Sequence, residues 1–352
     1  MLAGGSSGQT LEQLLFFLKA TSIDEIHYIY SHIVHLVFAK GSLPGGPCLS
    51  IANFVWLEQT LSMKPSFKQV LDCLYKACCQ QVDFRNKAEE VRNSVNSWVE
   101  TQTRGLVKQI LPSGSVDGTT ELILANAIYF KGEWSCEFDA SRTIHFDFHL
   151  LNGYSIQVPF MTSNKERELS AFDGFKVLKL PYKQGGNQSM SDPSFSMYIY
   201  LPDAKNGLPA LVERAGSESG FLDRYVPHQE INAGLFWIPK FKFEYEIELS
   251  EALKSLGLVL PFHPSAGLTQ MVDHFMPLFV SKMYHKAFIE VDESGTEAAA
   301  ATVVAMAFGC CAPRIPEFPI DFVADHPFLY VIREDNTGIV QFIGQVLNPS
   351  TT

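Results

Sequence analysis

The chain has 352 residues, 46% of them hydrophobic and 18% charged, which is the composition of a folded globular protein and not of a disordered or collagen-like one. Acidic residues outnumber basic ones, 38 to 27, for a formal net charge of −11, so non-specific nucleic-acid binding and docking on an anionic membrane are disfavoured. Length alone allows roughly one to three domains, but no Gly/Ser-rich linker, low-complexity tract or internal repeat divides the chain, and a single domain over residues 1–352 is expected.

In chain order, Thr10 to Leu18 reads as a helix with Thr10 near its cap, and Ile23 to Phe38 as a second, with Ile26, Ile29, Ile33 and Val37 at helical spacing. Cys48 to Gln59 is strand-like, Pro65 to Ala77 helical and Cys79 to Phe84 a short strand. Lys87 to Ile110 places Val91, Val95, Trp98, Val99 and Leu106 on one helical face. Leu122 to Phe130 is a near-continuous apolar run, which predicts a strand buried on both faces. Thr143 to Met161 reads as a hairpin around Asn152-Gly153. Strands are expected over Phe175–Pro181, Phe195–Leu201, Leu235–Tyr245 and Leu278–Val291 and in three runs after Asp325, with helices over Leu208–Ala215 and Glu251–Leu256. Helices early and strands late predict an α+β fold.

Catalytic signatures are missing. The loops Gly4–Gly8 and Ser113–Gly118 have the wrong spacing for a nucleophile elbow and no strand leading into them. No Walker loop, dinucleotide fingerprint or HExxH occurs, and no Cys/His set has zinc spacing, so no metal or cofactor is expected. The ten histidines are scattered, His145 and His326 reading as structural. Of the seven cysteines, Cys78-Cys79 and Cys310-Cys311 are adjacent pairs that would make strained bridges, so reduced thiols are expected. Met1–Gly8 lacks the basic and apolar regions of a secretory leader. Ile26–Phe38 is too short, and too interrupted by His27, His32 and His35, to span a bilayer. Asn187-Gln-Ser189 has the form of a glycosylation sequon, a pattern frequent by chance. The expected compartment is cytoplasmic or another intracellular one, with an extracellular one disfavoured.

Val291 to Phe308, VDESGTEAAAATVVAMAF, has two readings. Ser294-x-x-Glu297 has the form of a capping box ahead of an alanine run, which predicts a surface helix. Taken at period two, Thr296, Ala298, Ala300, Thr302, Val304 and Met306 share one face with no charge on it, while Glu297 lies on the other. A segment that slides between two existing strands needs that second pattern.

Four stretches resemble the serpin family. Glu293 to Thr302 resembles the proximal hinge of a serpin reactive-centre loop, and Ser281 to Ala298 the strand that feeds it. Asp321 to Pro349 is similar to the family's C-terminal strands, and Leu124 to Trp134 to its central strand. Phe322–Phe328 (FVADHPF) and the hinge AAAAT look most like plant serpins. The resemblance implies the serpin fold, with three β-sheets, flanking helices and an exposed reactive-centre loop at about residues 295–324. It also implies an N-terminally incomplete member, lacking the first helix, the first strand and most of the second helix. Serines in that part would face Asn126 and His285, which match the family's asparagine and histidine beneath the sheet opening, so these two are expected to lose partners. Trp134 matches a family tryptophan near the insertion point, with plain core as the alternative.

The function so implied is that of an irreversible suicide-substrate inhibitor of serine or papain-like cysteine proteases, and not an enzyme. The partner would be a target protease in a covalent acyl complex, with no nucleic acid and no membrane, and the inhibitor a monomer. The hinge would comprise Glu293, Gly295, Thr296, Glu297, Ala298, Ala299, Ala300, Ala301 and Thr302. Family spacing puts the reactive bond at Gly309–Cys310, with Phe308 and Arg314 as alternatives. The common plant pattern Leu-Arg-Ser is replaced here by Phe308-Gly309-Cys310, which leaves the target open. The alternatives are a non-inhibitory serpin-fold binding protein and an inactive truncated paralogue. Bulky or charged inward hinge residues would favour the former, and none is present.

Overall fold

The structure, a computed structural model, describes residues 1–34, 46–103, 105, 107–185, 192–273, 278–296 and 319–350. Helices α1 (Gly8–Phe17) and α2 (Ile23–Ile33) come first, followed by β1 (Cys48–Glu58), α3 (Pro65–Val70), β2 (Ala77–Val82), α4 (Phe84–Gln102) and β3 (Leu122–Glu133). Next are β4 (Ile144–His149), β5 (Ser155–Met161), β6 (Arg167–Phe172), β7 (Phe175–Pro181), β8 (Phe195–Pro202), α5 (Leu208–Ser217), α6 (Phe221–Arg224) and β9 (Glu230–Ile231). The chain continues with β10 (Phe236–Pro239), β11 (Phe241–Glu248), α7 (Ser250–Ser255), β12 (Lys282–Val291), β13 (Gly295–Thr296), β14 (Phe322–Val323), β15 (Phe328–Glu334) and β16 (Val340–Val346).

Among the described residues these strands form three sheets, in the orders β11-β12-β13-β3-β1-β2, β14-β10-β5-β4 and β16-β15-β8-β7-β6-β9. Two compact units are distinguished. One comprises Met1–Ala39, Leu49–Tyr129 and Glu244–Phe288, the other Lys40–Cys48, Phe130–Phe243 and Ile289–Thr352.

In the first unit, β12 pairs parallel to β3 from Lys282↔Ile123 to Phe288↔Tyr129. The apolar run of β3 is buried on both faces, as expected. Leu122 and Leu124 join a cluster with Leu14, Phe67 and Tyr75, while Ile123, Ala125 and Ala127 meet Val91, Val95 and Val99 of α4. A strand covered on both sides has no polar face to show, and this is why alternation is lost. Helix α4 begins earlier than its apolar spacing suggests, because the Asp83 carboxylate accepts from the Asn86 amide at 2.9 Å and caps it. It ends at Gln102, where the Thr103 hydroxyl turns back to the Val99 carbonyl. α2 stops at Ile33, and residues 35–38 of the expected helix lie outside the described ones.

In the second unit, β7, β8 and β15 pair antiparallel around Phe175, Tyr198, Tyr200 and Val331. The hairpin β4–β5 turns at Gly153, whose φ of +86° suits glycine. Two expectations are corrected. Leu235–Tyr245 is two strands, broken where Pro239 cannot donate to a ladder, and its halves join different sheets. Among the described residues two strands and not three follow Asp325. Of the two readings at Ser294 the capping box does not form, since Gly295–Thr296 is strand β13.

Candidate functional site

Glu293, Gly295, Thr296 and Trp134 come together in the second unit. Strand β13 lies between β12 and β3, pairing antiparallel with both through Val291↔Thr296, Gly295↔Glu133 and Thr296↔Gly132. Thr296 is fully buried. At Gly295 the backbones approach so closely that a Cβ would stand 2.1 Å from the Gly132 carbonyl oxygen and 2.7 Å from the Glu133 Cα. Only glycine fits there.

A turn delivers the chain to that position. The Asp292 carboxylate accepts from the amides of Ser294 (2.9 Å) and Gly295 (3.1 Å), and the Asp292 amide donates to the Gly295 carbonyl. Burial pushes the Asp292 carboxyl up despite those two donors. Trp134 grips the same turn twice, its indole N–H donating to the Asp292 carbonyl at 2.9 Å and its amide to the Ser294 carbonyl at 2.9 Å. Beside it, the Glu293 carboxylate accepts from Lys240 Nζ at 2.7 Å and the Thr143 hydroxyl at 2.6 Å, and the Phe138 amide donates to the Glu293 carbonyl. Burial alone would raise the Glu293 carboxyl, but the Lys240 ammonium and the Thr143 hydroxyl hold it below the ordinary glutamate range.

Asn126 and His285 meet in the first unit. They stand opposite each other in register, and the Asn126 Oδ1 lies 2.9 Å from His285 Nδ1. The Asn126 amide donates to Asn53 Oδ1, and the Asn53 amide donates to the Tyr30 hydroxyl and the Tyr75 carbonyl. The two side chains bond each other, and Asn53 and Tyr30 extend the pair. Burial pushes the His285 pKa below the ordinary histidine value.

Glu297, Ala298, Ala299, Ala300, Ala301, Thr302, Phe308, Gly309, Cys310 and Arg314 lie outside the described residues, as does the sequon at Asn187. Sequence reasoning missed Tyr182, Lys240, Thr143 and Asn53. Each bonds a residue far away along the chain, and no local spacing announces such a pairing.

The family model described as Serpin (serine protease inhibitor) matches residues 1–349. The chain belongs to the serpin family. This serpin is 50% identical to Serpin-ZX of Arabidopsis thaliana over 355 residues, an alignment that covers 99% of this chain and 88% of that protein. It is 48% identical to Serpin-Z2B of Triticum aestivum over 351 residues, covering 99% and 86%. Its structure is similar to that of Arabidopsis AtSerpin1 in the native stressed conformation, with 49% identity, a TM-score of 0.89, and 99% and 88% of the two chains covered. Plant serpins are therefore among its relatives, the fold is the serpin fold, and the general role that comes with membership is protease inhibition. Among the described residues no helix is long and apolar enough to cross a membrane.

Proposed function

We propose that this serpin is an irreversible, single-turnover inhibitor of serine proteases, with papain-like cysteine proteases as the second target class, and that its whole chain acts as one inhibitory domain. The nucleophile of the protease attacks the Gly309 carbonyl carbon, the Gly309–Cys310 bond breaks, and Cys310 leaves as the new amino terminus. The protease stays attached through an ester or thioester to Gly309. The freed segment then continues the course that β13 has begun, between β12 and β3. Serpin loop insertion is an established instance of strand addition.

The observation that carries this reading is the position of Thr296. A hinge that ended on the surface would say nothing about insertion. Here its first residues already pair with both neighbouring strands, and the small, uncharged side chains that follow at period two fit the same path. Thr296 to Gly309 would span on the order of 45 Å at about 3.3 Å per residue, enough to carry a tethered protease along the sheet and distort its oxyanion hole. We place the inhibitor as a monomer in the cytoplasm or another intracellular compartment.

Insertion adds a strand paired on both edges and buries further apolar surface. A chain nicked in the loop is therefore expected to melt well above the intact chain, by tens of degrees if the whole segment inserts. Equal or lower melting after nicking, with the same chain length verified by mass, would contradict insertion.

A further inference from the structure

Tyr182 carries no role so far, yet the turn and the strand β13 close on it. It is 2% exposed. Its ring stacks on Trp134 at 4.6 Å between centroids, with 17° between the planes, and meets the edge of Phe130 at 4.8 Å. Its backbone is bridged to Trp134, and its amide donates to the Phe195 carbonyl. Gly132 lies against the ring so closely that a Cβ there would come within 2.7 Å of Tyr182 Cδ1. The ring is thus wedged on several sides, and its hydroxyl is aimed at one atom, the Thr296 Oγ1, at 2.7 Å.

Both groups are cut off from water, Thr296 being 0% exposed. Among the described residues each hydroxyl has the other as its side-chain partner. A buried hydroxyl without a partner is costly, whereas removing both members of a pair with little change of shape is nearly neutral. Thr296 also immediately precedes the segment proposed above to insert. A hinge held there forms the starting edge onto which the following residues add. A hinge released from there has to re-enter the sheet first.

We infer that the Tyr182–Thr296 hydroxyl pair is the lock that holds the hinge inside the sheet before any protease arrives, and so sets how readily insertion starts. The consequence for inhibition rests on the trapping reading above; the lock itself does not. Tyr182 is a positioning residue, since it touches neither the protease nor the reacting bond.

The test uses the intact full chain with no protease present. Hydrogen–deuterium exchange is followed over the segment 291–296 in the parent and in Tyr182→Phe, Thr296→Val, Thr296→Ser and the double variant Tyr182→Phe/Thr296→Val. Each of the first two variants strands one buried hydroxyl partner or removes the contact, and exchange is expected to speed up by about fivefold or more. Thr296→Ser keeps the hydroxyl and stays near the parent. The double variant replaces the pair by apolar groups of the same shape and returns to within about twofold of the parent. A merely structural tyrosine would give no such recovery. Unchanged exchange in the single variants, or a double variant at least as fast as the faster single, overturns the lock. Covalent trapping by the parent is scored separately. If the exchange pattern holds while the parent traps no protease, the lock stands and the trapping reading falls.

Discussion

Gly295→Ala is expected to expel the hinge from the sheet and turn the inhibitor into a substrate. The added Cβ would stand 2.1 Å from the Gly132 carbonyl oxygen, 2.7 Å from the Glu133 Cα and 2.9 Å from the Gly132 carbonyl carbon. All three are main-chain atoms of β3, a strand buried on both faces in the first unit and held in register there with β12. A flexible side chain could swing aside, but this backbone has nowhere to go. Overpacking a close-packed site costs about 3 kcal/mol or more when the neighbours cannot yield. The cheaper response is for Gly295 and Thr296 to leave the sheet, which exposes Thr296 and breaks its bond to Tyr182. Insertion must then begin from a detached hinge, and deacylation gains time to finish first. The measurable outcome is a several-fold rise in the inhibitor needed per protease, with cleaved chain accumulating beside active enzyme. A Gly295→Ala variant that inhibits with the parent's stoichiometry would mean that the hinge does not need this close approach.

Glu293→Lys should give the largest loss of intact-state stability from one charge. The carboxylate is 13% exposed and bonded to Lys240 and Thr143. The substitution removes an acceptor from Lys240 and sets a second ammonium beside it. Breaking a buried ion pair costs about 3–5 kcal/mol. Lys240 keeps 33% exposure, so water recovers part of that loss, and about 2–3 kcal/mol is expected. Glu293→Gln keeps an oxygen acceptor and introduces no repulsion, and its loss should be about 1 kcal/mol. Urea unfolding of the three proteins separates the terms. Equal midpoints for the lysine and glutamine variants would show that charge at this position has no influence on the hinge. The sign with pH follows from the depressed carboxyl of Glu293. Its contribution is present above the ordinary glutamate range and is lost as the pH falls through the depressed value.

Much of the fold could be read from the sequence where the signal was periodic and local. The apolar run of β3 announced a strand covered on both faces, and the spacing of Val91, Val95 and Val99 announced the packed face of α4. Two short elements, β6 and α6, gave too few residues for a period to show. The break at Pro239 was visible as a residue type, but that the two halves join different sheets depends on partners far along the chain. The segment around Ser294 shows the limit of local rules. A capping-box pattern and an alanine run favour a helix, yet Gly295 and Thr296 pair as strand because β3 and β12 offer edges on both sides. The site was half legible in the same way. Glu293, Gly295, Thr296, Trp134, Asn126 and His285 stood out by their resemblance to family motifs. Their partners Lys240, Thr143, Tyr182 and Asn53 did not, since an isolated lysine, threonine, tyrosine or asparagine carries no mark of what it will meet.

The protein is incubated with a panel of trypsin-like, elastase-like and papain-like proteases, and the mixtures are resolved under denaturing conditions by intact mass. Trapping predicts an adduct, stable to SDS, whose mass is that of the protease plus residues 1–309, together with a released peptide beginning at Cys310. Trypsin-like cleavage after Arg314 would leave about 16 Å of slack at strand spacing and is expected to proceed as ordinary turnover. Cleaved chain and fully active protease, with no adduct across the panel, would contradict trapping. An adduct whose released peptide begins at Ile315 would contradict the assigned bond.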